Sequence, residues 1–154
     1  MTSTVELKRS LIRRWGYRVK GVPRDKAVVL FPENNFWGRT LAAVSSSTDP
    51  SCFTDFGKDV ALNSARSMVS GPFMPGFDII PYNDVPALEE KLASNPNIVA
   101  YLLEPIQGEA GVIVPDPGYL TQVAALLKKH NVLMITDEVQ SGLCRTGRML
   151  ACDW

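Results

Sequence analysis

The sequence has few of the residues on which metal centres, disulfide frameworks and histidine-based catalysis depend. Its 154 residues include three cysteines and one histidine, His130. Cys52, Cys144 and Cys152 are odd in number and show no C-x-x-C spacing, which argues against a zinc site or a disulfide framework. We interpret them as free thiols in a reducing compartment. A single histidine excludes multi-histidine metal sites and argues against a histidine-based triad, so we expect no metal.

The chain also lacks net charge, a long apolar run and an apolar signal core at its start. Sixteen basic residues balance sixteen acidic ones, so the composition gives no reason to expect nucleic acid or an anionic membrane surface as a partner. No apolar run approaches the roughly 20 residues that a transmembrane helix needs. Residues 1–6 do not resemble a secretory signal. We therefore expect an intracellular protein, with the cytoplasm favoured over the mitochondrial matrix.

The most informative stretch covers residues 132–142, Val-Leu-Met-Ile-Thr-Asp-Glu-Val-Gln-Ser-Gly. An apolar run without polar alternation is typical of a strand that is buried on both faces of a parallel sheet. Such sheets bind ligands beyond the carboxyl ends of their strands, where Asp137 is expected to lie. A carboxylate at that position usually has a cationic partner or a metal. The junction between the strand and Asp137 is therefore the first candidate for a functional site.

Three interpretations of this junction compete. An apolar strand followed by two acids also describes the magnesium-binding strand of nucleotide triphosphatases, but their phosphate loop, G-x-x-x-x-G-K-[ST], does not occur in the chain. A second interpretation is a carboxylate that keeps a heteroaromatic nitrogen protonated. The third is an acid that only caps the following turn. This stretch alone leaves the last two open.

The remaining apolar pattern predicts an α/β fold. Apolar runs predict strands at residues 27–31, 77–80, 98–103 and 132–136. Helical spacing predicts helices near residues 7–15, 40–46, 84–92 and 116–129. Gly16 is expected to end or weaken the first of these helices, and Asp84 is a good N-cap for the third. Because strand, loop and helix alternate, we expect a mostly parallel, doubly wound sheet with helices on both faces.

Two further clusters follow predicted strands. Phe36-Trp37-Gly38-Arg39-Thr40 comes after the first, and its rings, glycine and guanidinium suit a planar anionic ligand. Core packing explains the two aromatic residues equally well. The third strand runs into residues 104–109, Glu-Pro-Ile-Gln-Gly-Glu, a second acidic cluster at a strand's carboxyl end.

With these motifs together, the chain resembles the class-III aminotransferases, and within them the ornithine aminotransferases. The resemblance covers most of the chain from about residue 10 onward. Its matching segments are residues 15–17, 35–40, 71–84, 104–111, 114–120, 136–142 and 145–148. It implies the large domain of a fold-type I pyridoxal-phosphate enzyme, with the spatial strand order fourth, third, first, second.

The resemblance also implies an activity. Family members of this kind transfer the δ-amino group of ornithine to 2-oxoglutarate, giving glutamate semialdehyde and glutamate. Their cofactor is pyridoxal 5′-phosphate, their partners are small amino acids and 2-oxo acids, and the full-length enzymes are homodimers.

Four residues match the family's cofactor contacts. Asp137 matches the carboxylate that pairs with the pyridine nitrogen, and Gln140 matches a side chain near the phenolic oxygen. Phe36 and Val139 match the groups on the two faces of the ring. We therefore expect a slot between Phe36 and Val139, with Asp137 at its floor and Gln140 at its rim.

Four more residues match substrate contacts or their supports. Trp37 and Arg39 match substrate contacts, with Arg39 facing a carboxylate. Glu109 matches the acid that masks a second, oxoglutarate-binding arginine. Glu104 is expected to brace this network by hydrogen bonds.

The chain departs from the family pattern in three places, which shape our expectation for its activity. Residues 1–10 stand where the glycine-rich phosphate-binding loop should be, and the Schiff-base lysine and the small domain have no counterpart before Trp154. Residues 58–70 match nothing in the family and are expected to be a peripheral insert. Residues 1–154 are thus expected to be a partial large domain that has no catalytic lysine and is inactive alone. The alternatives are a non-catalytic truncated or mis-spliced product, or a fragment of a related class-III aminotransferase.

Overall fold

The computed structural model describes residues 4–50 and 74–154, and side chains from Ser10 onward. The expected insert at residues 58–70 lies outside the described residues, as does Cys52. The strands are β1 (Val28–Pro32), β2 (Phe77–Ile80), β3 (Ile98–Leu103) and β4 (Leu133–Thr136). The α-helices are α1 (Thr4–Trp15), α2 (Leu41–Ser46), α3 (Val85–Ser94) and α4 (Tyr119–Lys129), and a π-helix (Gly16–Lys20) follows α1.

The four strands form one parallel sheet in the order β2-β1-β3-β4. β1 pairs in parallel with both β2 and β3, and β3 pairs in parallel with β4. Read from the other edge, this is the predicted order fourth, third, first, second. The predicted fold class and strand order are confirmed.

Helices cover both faces of the sheet. The apolar cluster on one face combines β1 residues Val29 and Phe31 with Ile12 of α1 and Ala42 of α2. The cluster on the other face combines Leu30 with side chains of α3 and α4, namely Leu88, Leu92, Val123 and Leu127. Successive β1 residues thus enter opposite layers, as the two-residue side-chain period of a strand requires.

The strand order creates a crevice at one place in the sheet. From β1 the chain passes to β2 on one side, then crosses back to reach β3 on the other side. Parallel sheets bind ligands at such a switch point, outside the carboxyl ends of the two central strands. The loops after β1 and β3 therefore border the position that favours a site.

The first helical segment changes at Gly16, as predicted. The α-helix α1 ends at Trp15, and the chain continues from Gly16 as a π-helix through Lys20, with Gly21 (φ +80°) as its C-cap. Gly16 is buried against Val99, and a Cβ there would overlap the Val99 side chain. The Lys20 ammonium then donates to the carbonyls of Ile98 and His130 at 2.6 and 3.2 Å. Tertiary contacts with β3 and with His130, the C-cap of α4, therefore accompany this segment.

β4 is less buried than its sequence predicts. All four of its residues are half-buried, whereas β3 is buried throughout. Among the described strands β4 pairs only with β3, so it is an edge strand of this sheet. The expectation of a strand buried on both faces was therefore wrong for β4, because an apolar run does not reveal how many neighbours a strand has.

Helix starts follow their capping residues. The Asp84 carboxylate accepts from the Ala87 amide at 2.8 Å, which confirms the predicted N-cap of α3. α4 starts later than predicted, at Tyr119, because Gly118 with a φ of +82° occupies its N-cap position. In the part of the chain that the structure describes, no helix is long and apolar enough to cross a membrane.

Candidate functional site

A cavity of about 240 Å³ lies where the loops after β1, β3 and β4 meet. Its lining residues are Phe36, Trp37, Gly38, Glu104, Asp137, Val139 and Gln140. A larger, open depression of about 550 Å³ lies elsewhere, between α1 and residues 74–75, and contains none of the predicted site residues. The smaller cavity is at the carboxyl edge of the sheet, so we take it as the candidate site.

Asp137 extends β4 and brings a carboxylate to the cavity. Its amide donates to the Leu103 carbonyl at 2.8 Å, which continues the pairing between β4 and β3. Its Oδ1 accepts from the Val139 amide at 3.0 Å. No lysine, arginine or histidine forms an ion pair with Asp137 among the described residues. The cationic partner expected for this carboxylate is therefore not provided by residues 10–50 or 74–154.

Glu104 connects the loops after β1 and β3 across the switch point. Its Oε1 accepts from the Phe36 amide at 2.9 Å, and its Oε2 accepts from the Gly108 amide at 3.2 Å. Burial raises the pKa of Glu104, the two amide hydrogen bonds oppose that rise, and the charges of Asp137 and Glu109 add to it. Glu104 thus holds together two of the loops that border the cavity, and Asp137 and Glu109 add negative charge near it.

The two aromatic residues after β1 have different environments. Trp37 is buried; its ring stacks on Phe31 at a centroid distance of 5.3 Å, and its indole nitrogen donates to the Ser46 hydroxyl at 2.8 Å. Phe36 is half-buried at the cavity. Trp37 therefore packs mainly in the core with part of its surface at the cavity, while Phe36 is the more available ring.

Val139 and Gln140, from the loop after β4, form another wall of the cavity. Val139 is 86% exposed, so an apolar side chain at the cavity has little protein packed on it. Gln140 lies so close to Gly108 that any Cβ at Gly108 would overlap its amide group. Gly38, with a φ of +132°, completes the lining on the side of Phe36.

The structure brings six of the eight predicted site residues to this cavity. They are Phe36, Trp37, Glu104, Asp137, Val139 and Gln140. Arg39 and Glu109 are exposed and lie outside the lining. The Arg39 guanidinium is 5.9 Å from the centre of the Phe36 ring, within the range of a cation–π contact.

The sequence analysis included Gly38 in the Phe36–Thr40 motif but gave Gly108 no role in the site. Gly38 lies inside the Phe36–Thr40 motif, and its positive φ is a conformation that favours glycine. Gly108 carries no comparable signal, because its need for glycine comes from Gln140, a residue far away in sequence. No cluster of three or more metal-ligating side chains occurs within residues 10–50 and 74–154.

The chain belongs to the class-III aminotransferase family. The family model, "Aminotransferase class-III", matches residues 2–154. The architecture agrees, because a parallel sheet with helices on both faces supports the matched site motifs.

Within that family, similar proteins include several ornithine aminotransferases, and similar structures also include an acetylornithine aminotransferase from Elizabethkingia anophelis, at 41% identity, a TM-score of 0.69 and coverage of 97% of this chain and 29% of that one. The chain is 59% identical over 143 residues to the mitochondrial ornithine aminotransferase of Rattus norvegicus, covering 93% of this chain and 29% of that protein. It is 52% identical to the ornithine aminotransferase of Vigna aconitifolia, covering 93% of this chain and 30% of that protein. The crystal structure of the Toxoplasma gondii ME49 enzyme superposes with a TM-score of 0.84 at 49% identity, covering 96% of this chain and 32% of that one. The chain thus spans about 30% of the length of these curated relatives.

Proposed function

We propose that this chain forms the ring-binding part of the cofactor site of an ornithine aminotransferase. One observation carries the proposal: Asp137 lies at the switch-point cavity beside an aromatic ring and has no cationic partner among the described residues. A carboxylate in that setting favours a flat ligand with a positive ring atom. Of the interpretations that the sequence left open, the carboxylate that keeps a heteroaromatic nitrogen protonated fits best.

The lining residues fit the ring of pyridoxal phosphate. Asp137 would hold the ring-nitrogen proton with its second oxygen, because its first already accepts from Val139. Phe36 and Val139 would contact the two ring faces, and Gln140 would lie near the phenolic oxygen. When bound, the cofactor supplies an electron sink, and the protonated ring nitrogen strengthens it.

The volume of the cavity sets a limit on what these residues hold. About 240 Å³ is less than the roughly 300–1,000 Å³ of sites for drug-sized ligands, so the cavity suits a single substituted ring. None of the described lining residues is cationic. The phosphate contacts are therefore expected from residues other than these.

Ornithine and 2-oxoglutarate are the proposed substrates. The curated relatives from rat and Vigna aconitifolia carry the name ornithine aminotransferase, and both match over 93% of this chain. Arg39, placed over Phe36 at the edge of the cavity, is suited to a substrate carboxylate. Trp37 is proposed to contact substrate through its cavity-facing surface. Glu109 would mask a second substrate-binding arginine, as the family resemblance implies.

We further propose that residues 1–154 are part of a cofactor-binding large domain in which residues 58–70 are an insert. The working enzyme would be a homodimer. We propose an intracellular location. Some relatives, including the rat and Caenorhabditis elegans proteins, are named mitochondrial, and others carry no such term.

The test is an amino-transfer assay on the protein purified from its own cells. Ornithine, N-acetylornithine and 4-aminobutyrate would compete as donors, with 2-oxoglutarate as acceptor, and the glutamate produced from each would be measured. We expect ornithine to have the highest kcat/KM where these residues belong to a chain that supplies a Schiff-base lysine, and we expect no transfer by residues 1–154 alone. A preference for N-acetylornithine would instead support a related class-III aminotransferase, and no transfer from any donor would support a non-catalytic chain.

A further inference from the structure

Glu138 connects the end of β4 to the last residues of the chain. Its Oε2 accepts from the Ser141 hydroxyl at 2.6 Å and from the Ala151 amide at 3.0 Å. Its Oε1 accepts from the Cys152 amide at 3.0 Å. Its own carbonyl accepts from the Gly142 amide at 2.8 Å. The Glu138 side chain therefore joins a local turn to Ala151 and Cys152, which lie 13 and 14 residues later in the sequence.

Apart from its contacts with Asp137 and Glu138, the segment of residues 139–154 has hydrogen bonds among the described residues that are mostly internal to it. It consists of turns and bends, and its only helix among the described residues is the three-residue 3₁₀ turn Ala151–Asp153. Leu143 and Trp154 are 79% and 76% exposed, so its large apolar side chains bury little surface. A segment with few buried apolar contacts depends on its hydrogen bonds for a defined position.

Electrostatics favour an ionised Glu138. Burial alone would raise its pKa, but the hydrogen bonds from Ser141, Cys152 and Ala151 outweigh that effect, and the net pKa is lowered. Hydrogen bonds to a charged acceptor are roughly twice as strong as neutral ones. The ionised side chain thus remains a strong acceptor at neutral pH.

Resting on the proposed function, we infer that Glu138 is a positioning residue for the cofactor cavity. It lies between Asp137 and Val139, and the segment that it anchors starts with the two wall residues Val139 and Gln140. By holding Ala151 and Cys152 against the end of β4, it fixes that wall at the distance the ring requires. It touches neither the ring nor the substrate.

The test compares Glu138→Gln with the matched control Glu90→Gln. Glu90 is exposed on α3, remote from the cavity, and the chemical change is identical. In Glu138→Gln an amide group replaces one acceptor oxygen, so at least one backbone donor of residues 151–152 loses its partner. We expect roughly 10-fold faster amide exchange there, which corresponds to about 1.4 kcal/mol, and a shift of the Val139 methyl resonances. Ser141→Ala, which removes one donor only, should give a smaller change of the same kind.

The second measurement is the affinity for pyridoxine 5′-phosphate, which carries the ring but no aldehyde. It is made at a temperature at which all variants remain folded by circular dichroism. We expect Glu138→Gln to weaken binding by roughly 3- to 10-fold, equivalent to about 0.7–1.4 kcal/mol, with no change for Glu90→Gln. If wild type binds and Glu138→Gln binds equally well, the positioning role is overturned even where amide exchange is faster, because Glu138 would then be structural only. If wild type does not bind, the proposed function itself fails.

Discussion

Glu104 and Asp137 bring two carboxylates to one cavity, and neither has a cationic partner among the described residues. The cost of this arrangement appears in Glu104, whose pKa is raised by burial first and then by the charges of Asp137 and Glu109. An arrangement that is unfavourable in the free protein becomes favourable when a positive ligand enters. We therefore expect the acids of the site to reduce the stability of the ligand-free fold.

Asp137→Asn should make the ligand-free protein more stable at neutral pH. Asparagine keeps an acceptor for the Val139 amide but removes a charge that raises the pKa of Glu104. When a carboxyl group has a higher pKa in the folded state than in the unfolded state, the protein loses stability as the pH rises from the unfolded pKa through the folded pKa. The variant should therefore lose less stability between pH 5 and pH 8, and we expect a gain of about 0.3–1 kcal/mol at pH 8 after solvent screening.

Urea unfolding at the two pH values measures this difference. Asp116→Asn is the control, because Asp116 is exposed and lies outside the cavity. A variant at position 137 that is less stable than wild type at pH 8 would contradict the account of the acidic cavity.

At the scale of elements, the sequence predicts where the strands lie better than it predicts whether a strand is central or at the edge of the sheet. The apolar runs located β1, β2, β3 and β4 to within a residue or two, because a buried parallel strand needs continuous apolar side chains. The same pattern could not distinguish the central strand β3 from the edge strand β4, since that difference depends on neighbours. The Phe36 and Asp137 positions were predictable because both follow strands, whereas the Gly108–Gln140 contact joins two loops that no local pattern relates.

The π-helix gives a prediction that opposes helix propensity. Gly→Ala inside an exposed helix usually stabilises by up to about 1 kcal/mol. At Gly16 the new methyl group would overlap Val99 of β3, so Gly16→Ala should instead destabilise by about 1–3 kcal/mol through overpacking. Ser10→Ala, an exposed position on α1, is the control and should change stability by less than about 0.5 kcal/mol. A stabilised Gly16→Ala protein in thermal unfolding would show that the π-helix does not pack on β3 as closely as described.

At the scale of the whole molecule, strand order determines where the site forms. The order of the strands reverses between β1 and β3, and the Phe36 amide donates to the Glu104 carboxylate across that boundary. Asp137 reaches the same edge from β4, and Val139 and Gln140 follow it. The four-stranded sheet thus assembles the cavity from three separate loops, although the chain spans only about 30% of the length of its curated relatives.

The most direct test of the central claim is to measure, by calorimetric titration, how tightly pyridoxine 5′-phosphate binds to wild type, Asp137→Asn and Asp116→Asn. A hydrogen bond to a charged group contributes about 1.5–3 kcal/mol, so Asp137→Asn should bind roughly 10- to 150-fold more weakly. Asp116→Asn should bind like wild type. Equal affinities for wild type and Asp137→Asn would contradict the account, because they would show that the Asp137 carboxylate does not hold the ring nitrogen.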